Sequence, residues 1–135
     1  MQHQRTAFPA ALATVVALFG AAPTHAAKGD LIDIVWSADG SFGREVRVGA
    51  AQFAEVCGRL PAGAAVDWRF EAGAPMDFNV HFHEGQTVRY SARGEGATQS
   101  RGTIEARTEE DYCWMWTNAT TEPATLTFML TKRGR

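Results

Sequence analysis

Asp111-Tyr112-Cys113-Trp114-Met115-Trp116-Thr117-Asn118 is the stretch from which the rest of the chain can be read. With a period of two, Tyr112, Trp114 and Trp116 project one way, and Cys113, Met115 and Thr117 the other. Both sets are largely apolar. That pattern predicts a central β-strand covered on both faces, and so an all-β fold built around it.

The flanks repeat the signal. Downstream, residues 118–123 read as a turn, and Leu126, Phe128 and Leu130 alternate with threonines in a last strand. Upstream, Val66, Trp68 and Phe70 alternate with Asp67, Arg69 and Glu71, and Phe78, Val80 and Phe82 alternate with Asp77, Asn79, His81 and His83. Glu84-Gly85 makes a tight turn into residues 86–90, where Val88 and Tyr90 are expected to face inward. Residues 91–102 are Gly-rich and polar and read as a loop, before a short strand at 103–106. Residues 31–36 and 42–48 form two earlier strands. Residues 50–60 are ambiguous: Phe53, Val56, Cys57 and Leu60 have helical spacing, but a strand or loop tethered by Cys57 fits as well. Seven or eight short strands separated by regular turn signals predict an antiparallel β-sandwich, jelly-roll-like, in one domain over residues 27–135.

Residues 1–26 have the form of a secretory signal peptide. Arg5 supplies a basic n-region, residues 10–19 an apolar core, and Thr24-His25-Ala26 a cleavage motif of small residues at the positions a signal peptidase reads. The apolar run is about half the roughly 20 residues a membrane span requires, so the mature chain is expected to carry no membrane span. The expected location is exported, periplasmic or extracellular. The formal net charge is −2 with no basic patch, which argues against nucleic acid as a partner. Two cysteines in an exported chain most simply form one disulfide, Cys57–Cys113. The alternative, a redox or metal-binding thiol pair, would more commonly have the close C-x-x-C spacing.

Cys57-Gly58-Arg59-Leu60-Pro61-Ala62-Gly63, the strand at 66–70, Asp77-Phe78-Asn79-Val80, Gly102, the Tyr112–Asn118 stretch and the final apolar strand at 126–130 occur in an order similar to that of the GOLD (Golgi-dynamics) domain. That domain is the lumenal β-sandwich of the secretory-pathway cargo receptors. The resemblance covers most of residues 53–132. It implies a disulfide-tied sandwich used for protein or ligand recognition without enzymatic activity. The family's second cysteine would fall at Met115, whereas here it is Cys113, two residues earlier and on the same strand face. The family's coiled coil and C-terminal transmembrane helix have no counterpart in this sequence.

Three groups of side chains could carry a function. His81-x-His83 places two imidazoles on one strand face about 6.5–7 Å apart, close enough to share a metal ion. Glu84 could add a carboxylate for copper or zinc, and Met76 and Met115 could offer thioethers, which would favour Cu(I). The competing reading is a solvated sheet face of Asp77, Asn79, His81 and His83. The tryptophans form a second group: Trp68 and Trp114 read as core, and Trp36 and Trp116 as either core or ligand-binding residues. Asn118-Ala119-Thr120 matches a glycosylation acceptor, with a simple turn as the alternative. There is no G-x-S-x-G motif, and no carboxylate pair with catalytic spacing emerges. The sequence thus predicts a non-enzymatic binding or interaction module for an unknown protein or small ligand. The alternative is a periplasmic copper or zinc protein using His81 and His83.

Overall fold

Even-numbered residues of the central strands carry the large apolar side chains, and the computed structural model, which describes residues 28–134, buries that set between two layers. The strands are β1 (Gly29–Asp33), β2 (Ser41–Val48), β3 (Phe53–Leu60), β4 (Ala65–Glu84), β5 (Thr87–Glu105), β6 (Glu110–Thr117) and β7 (Ala124–Lys132). The signal-peptide region, residues 1–26, lies outside the described residues. Among the described residues no helix is long and apolar enough to cross a membrane.

The hydrogen-bonded order is β1-β3-β6-β4-β7-β2, with β5 on the other side of β4. All pairings are antiparallel except β1 on β3, so the sandwich predicted from the sequence is a mixed sheet folded on itself. The fold turns on β4, which is long enough to serve both layers. Residues 66–72 pair with β7 and residues 77–82 pair with β6, while β5 follows β4 through both halves. The direction changes between Glu71 and Met76, where the β4–β5 register shifts around Ala72-Gly73-Ala74-Pro75. Small residues and a proline there provide little to hold a flat ladder, and an irregularity of this kind bends a strand pair.

The bend brings together aromatic rings from the two halves of β4 and from β6 and β7, which are not neighbours in the sheet. Trp116 of β6 stacks on Phe128 of β7 at 5.0 Å and meets Phe70 edge-on at 5.8 Å, while Trp68 and Phe78 lie 4.6 Å apart. Trp114, Trp116 and Tyr112 are fully buried, as the alternation predicts. The indole Nε1–H groups of Trp68, Trp114 and Trp116 have no hydrogen-bond partner. These tryptophans therefore stabilise the core through volume and ring contacts rather than hydrogen bonding.

One open reading is decided and two sequence expectations change. Of the helix, strand and loop left open for residues 50–60, the strand is observed as β3: Ala54, Val56 and Leu60 are buried, a strand period, and Phe53–Leu60 pairs along its length with β6. The preceding turn contains Ala51 at φ 56° and a Gln52 N–H to Gly49 O bond of 3.1 Å. Residues 91–102 are not a loop but the middle of the 19-residue β5. Its glycines are accommodated because β4 supplies the pairing and because Gly96 adopts φ 61°, with its N–H donating to Asp77 Oδ1 at 3.0 Å. Finally, Val88 and Tyr90 point outward. A register shift between Val80 and His81 pairs His81 with Tyr90 and His83 with Val88, so both join the histidine face.

Candidate functional site

Strand registers assemble the outer face of the β1-β3-β6-β4-β5 layer in rows. One row runs Leu31, Glu55, Met115, Asn79, Arg93; the next runs Asp33, Cys57, Cys113, His81, Tyr90. Cys57 and Cys113 are direct cross-strand neighbours with Cα atoms 4.1 Å apart and form the disulfide predicted from the sequence.

His81 sits beside this disulfide, and its side chain is only 9% exposed although it lies on an outer face. Both ring nitrogens are engaged. Nδ1 is 2.7 Å from Asn79 Oδ1, and Nε2 is 3.1 Å from Glu55 Oε1. Burial pushes the imidazole pKa below its ordinary value. The Glu55 carboxylate opposes that shift and the neighbouring His83 adds to it. His83 lies edge-on to His81 with ring centres 5.6 Å apart, and Tyr90 approaches His81 from β5 at 6.2 Å. The structure thus places the His81 and His83 rings side by side on one face and adds Glu55.

Glu84 does not join them. It is one residue out of phase with the histidines, so it projects to the opposite side of the sheet, where its Oε2 accepts from Arg89 Nε at 2.7 Å. There it borders a concave strip at the open side of the sandwich, lined also by Phe82, Arg89, Ile104, Arg107 and Tyr112. Met76 is fully buried in the core, away from the histidine face, whereas Met115 is half-exposed on that face.

The two candidate tryptophans are not brought together. Trp116 is a core residue with no exposed surface, so a ligand would have to displace Phe70, Phe78 or Phe128 to reach it. Trp36 is half-buried at the rim, with Lys132 Nζ over its ring at 4.6 Å. The exposed apolar residues are instead Leu31 (75%), Val35 (72%), Tyr90 (47%) and Val88 (39%). Arg93 stacks on Tyr90 at 3.9 Å. Asn118 is fully buried, with its amide nitrogen bonded to Val48 O and Glu122 O, so the 118–120 triplet acts as a turn and not as an accessible acceptor. Sequence reasoning missed Glu55 and Tyr90. Glu55 lay in the segment of ambiguous periodicity, and a one-residue bulge reversed the facing of Tyr90.

The fold and this face define a disulfide-tied β-sandwich with a mixed polar and aromatic outer surface. No protein-family model matches the chain, and no curated protein matches it in sequence. Among solved structures it is similar to PliG from Aeromonas hydrophila, a periplasmic inhibitor of g-type lysozyme, with a TM-score of 0.66 and 14% identity. That match covers 80% of this chain and 100% of PliG. It is also similar to Salmonella Typhimurium PliG (TM-score 0.56, 8% identity, 78% and 100% covered). A third likeness is to the pre-peptidase C-terminal domain of Bacillus anthracis collagenase (TM-score 0.53, 12% identity, 82% and 99% covered). At these identities the shared feature is the β-sandwich. The GOLD family itself is not shown by them.

Proposed function

We propose that this chain is an exported, non-enzymatic module that binds a protein partner through the outer face carrying Tyr90. The observation behind this reading is the composition of that face. Tyr90 and Val88 on β5, and Leu31 on β1, are exposed apolar side chains at its margins, and Arg93 stacks on Tyr90. Between them lie the disulfide and the His81–Glu55 pair, of which His81 is buried. Exposed aromatic and arginine side chains are what protein interfaces concentrate. Export is supported by the leader pattern at 1–26 and by the cystine, which persists in oxidising compartments. The likeness to periplasmic lysozyme inhibitors makes a g-type lysozyme the first partner to test.

A photo-crosslinking residue at position 90, in the chain expressed with its leader, should yield a protein adduct. The same probe at Thr125, exposed on the other layer, should not. In parallel, the purified chain should slow cell-wall lysis by a g-type lysozyme, with Tyr90→Ala and Arg93→Ala weakening the effect at least about tenfold. An adduct with a different protein would keep the module and replace the partner. No adduct at position 90, or equal adducts at both positions, would end the proposal.

A further inference from the structure

We infer that Glu55, His81 and His83 form a binding site for a divalent transition-metal ion, on β3 and β4 beside the disulfide, with Glu84 taking no part. The inference begins with the pairing of a buried imidazole and a carboxylate. With Asn79 presenting Oδ1 to Nδ1 at 2.7 Å, His81 donates from Nδ1. In that tautomer the Nε2 lone pair faces a Glu55 carboxylate oxygen 3.1 Å away. With Nε2 unprotonated, two acceptors at that distance repel, and either a proton on Nε2 or a metal ion beside both atoms relieves the repulsion.

Three geometric facts allow a metal ion at that point. First, two ligand atoms on one tetrahedral zinc, each at about 2.0–2.2 Å, stand about 3.3–3.6 Å apart, so Nε2 and Oε1 at 3.1 Å need to separate by only a few tenths of an ångström. Second, a proton needs no second imidazole, but His83 is present with its ring centre 5.6 Å from that of His81. Two imidazoles on one tetrahedral ion have ring centres about 5 Å apart. His83 is exposed, so a change of side-chain rotamer can turn a nitrogen toward the shared point. Third, Asn79 occupies the position of the outer partner that fixes a metal-bound histidine by accepting from its other ring nitrogen.

Cys113 Sγ also lies within 4.8 Å of the His81 and Glu55 ligand atoms, but it is bound to Cys57 and offers no thiolate. The donor set is therefore two imidazoles and one carboxylate, with a position left for water or a partner's side chain. That set suits Zn(II) or Cu(II) better than Ca(II) or Mg(II).

Calorimetric titration of the chelator-treated full chain with Zn(II), and separately with Cu(II), tests the site. One ion per chain is expected at this site. Glu55→Gln keeps the shape of the side chain and should weaken binding at least tenfold, as should His83→Ala at an exposed position. Glu84→Gln should leave the affinity within twofold. His81→Ala should abolish the site. If that variant does not fold, Glu55→Gln and His83→Ala decide the matter. As a second readout, the Cu(II) form should show coupling to two imidazole nitrogens in its paramagnetic resonance spectrum, reduced to one in His83→Ala. Absence of a site in the unmodified chain would overturn the inference. So would unchanged affinity in Glu55→Gln, or loss in Glu84→Gln equal to that in Glu55→Gln.

Discussion

Replacing Asn118 by Asp changes one atom type at the most densely bonded buried polar side chain of the fold. Asn118 has no exposed surface. Its Nδ2 donates to Val48 O at 3.2 Å and to Glu122 O at 2.8 Å, and its Oδ1 accepts from Thr120 N at 3.0 Å and Thr120 Oγ1 at 2.6 Å. Its own N–H donates to Gln52 O at 2.9 Å. One residue thereby joins the end of β2, the entry to β3, the end of β6 and the turn into β7. In Asn118→Asp the two bonds from Thr120 survive. The two donated bonds become oxygen facing oxygen. Each carbonyl left without its donor costs about 1–3 kcal/mol, and a buried charge adds to this. The loss at pH 7 should be about 3–5 kcal/mol, a large share of the stability of a domain this size.

The pH dependence makes the reasoning specific. The new carboxyl faces carbonyl oxygens and is buried, so its folded pKa lies above the unfolded value of about 3.9. The native state then takes up a proton before the unfolded state does. The deficit relative to the unmodified chain is full above the folded pKa and shrinks as pH falls through it. Urea unfolding of both chains at pH 7 and pH 4 should show at least about 1 kcal/mol of the loss recovered at the lower pH. Asn118→Ala should cost about 2–4 kcal/mol at both pH values. A deficit below about 1 kcal/mol at pH 7, or one equal at both pH values in Asn118→Asp, would refute the argument.

Three further outcomes follow from the same structure. Reducing Cys57–Cys113, which bridges a sequence separation of 56, should lower stability by up to about 4 kcal/mol in the chain-entropy account, measured by urea unfolding with and without reductant. Gly102→Ala should cost about 1–3 kcal/mol, because the added Cβ would stand 2.6 Å from the Trp68 ring across the β4–β5 pair. An unchanged melting temperature would show that the indole moves freely. The Asp39 carboxyl accepts from the Ser37 and Ser41 side chains and from the Ser41 backbone N–H, which lowers its pKa to about 2. Its contribution is therefore present above the unfolded value of about 3.9 and is lost as pH falls toward 2. An NMR titration midpoint near 3.9 for Asp39 would contradict the bonding seen in the 37–41 turn.

Much of this protein was legible in its sequence because burial follows strand parity. The period-two reading of Tyr112, Trp114 and Trp116 needed no partner strand to be known: whichever strands flank it, alternate residues share a face. The same logic placed Val66, Trp68 and Phe70 in the core and put His81 and His83 on one face, while the count of two cysteines in an exported chain joined Cys57 to Cys113. The facts that failed were those set by pairing. A Gly-rich polar stretch has no local preference that makes it a strand, and residues 91–102 became one only because β4 runs beside them. Tyr90 changed sides through a single register shift that leaves no mark in hydrophobic alternation.

Glu55 shows the limit best. It meets His81 across β6, at a sequence separation of 26 and with a strand between their backbones, and only the order β3-β6-β4 brings the two side chains to 3.1 Å. Periodicity by itself determined the alternating strands and the core, since each is a matter of which residues avoid water, and the cysteine count determined the disulfide. The order and register of the strands determined the functional face. They depend on how the β4–β5 hairpin bends and which edges it offers, and that is settled only when the whole sheet closes on its core.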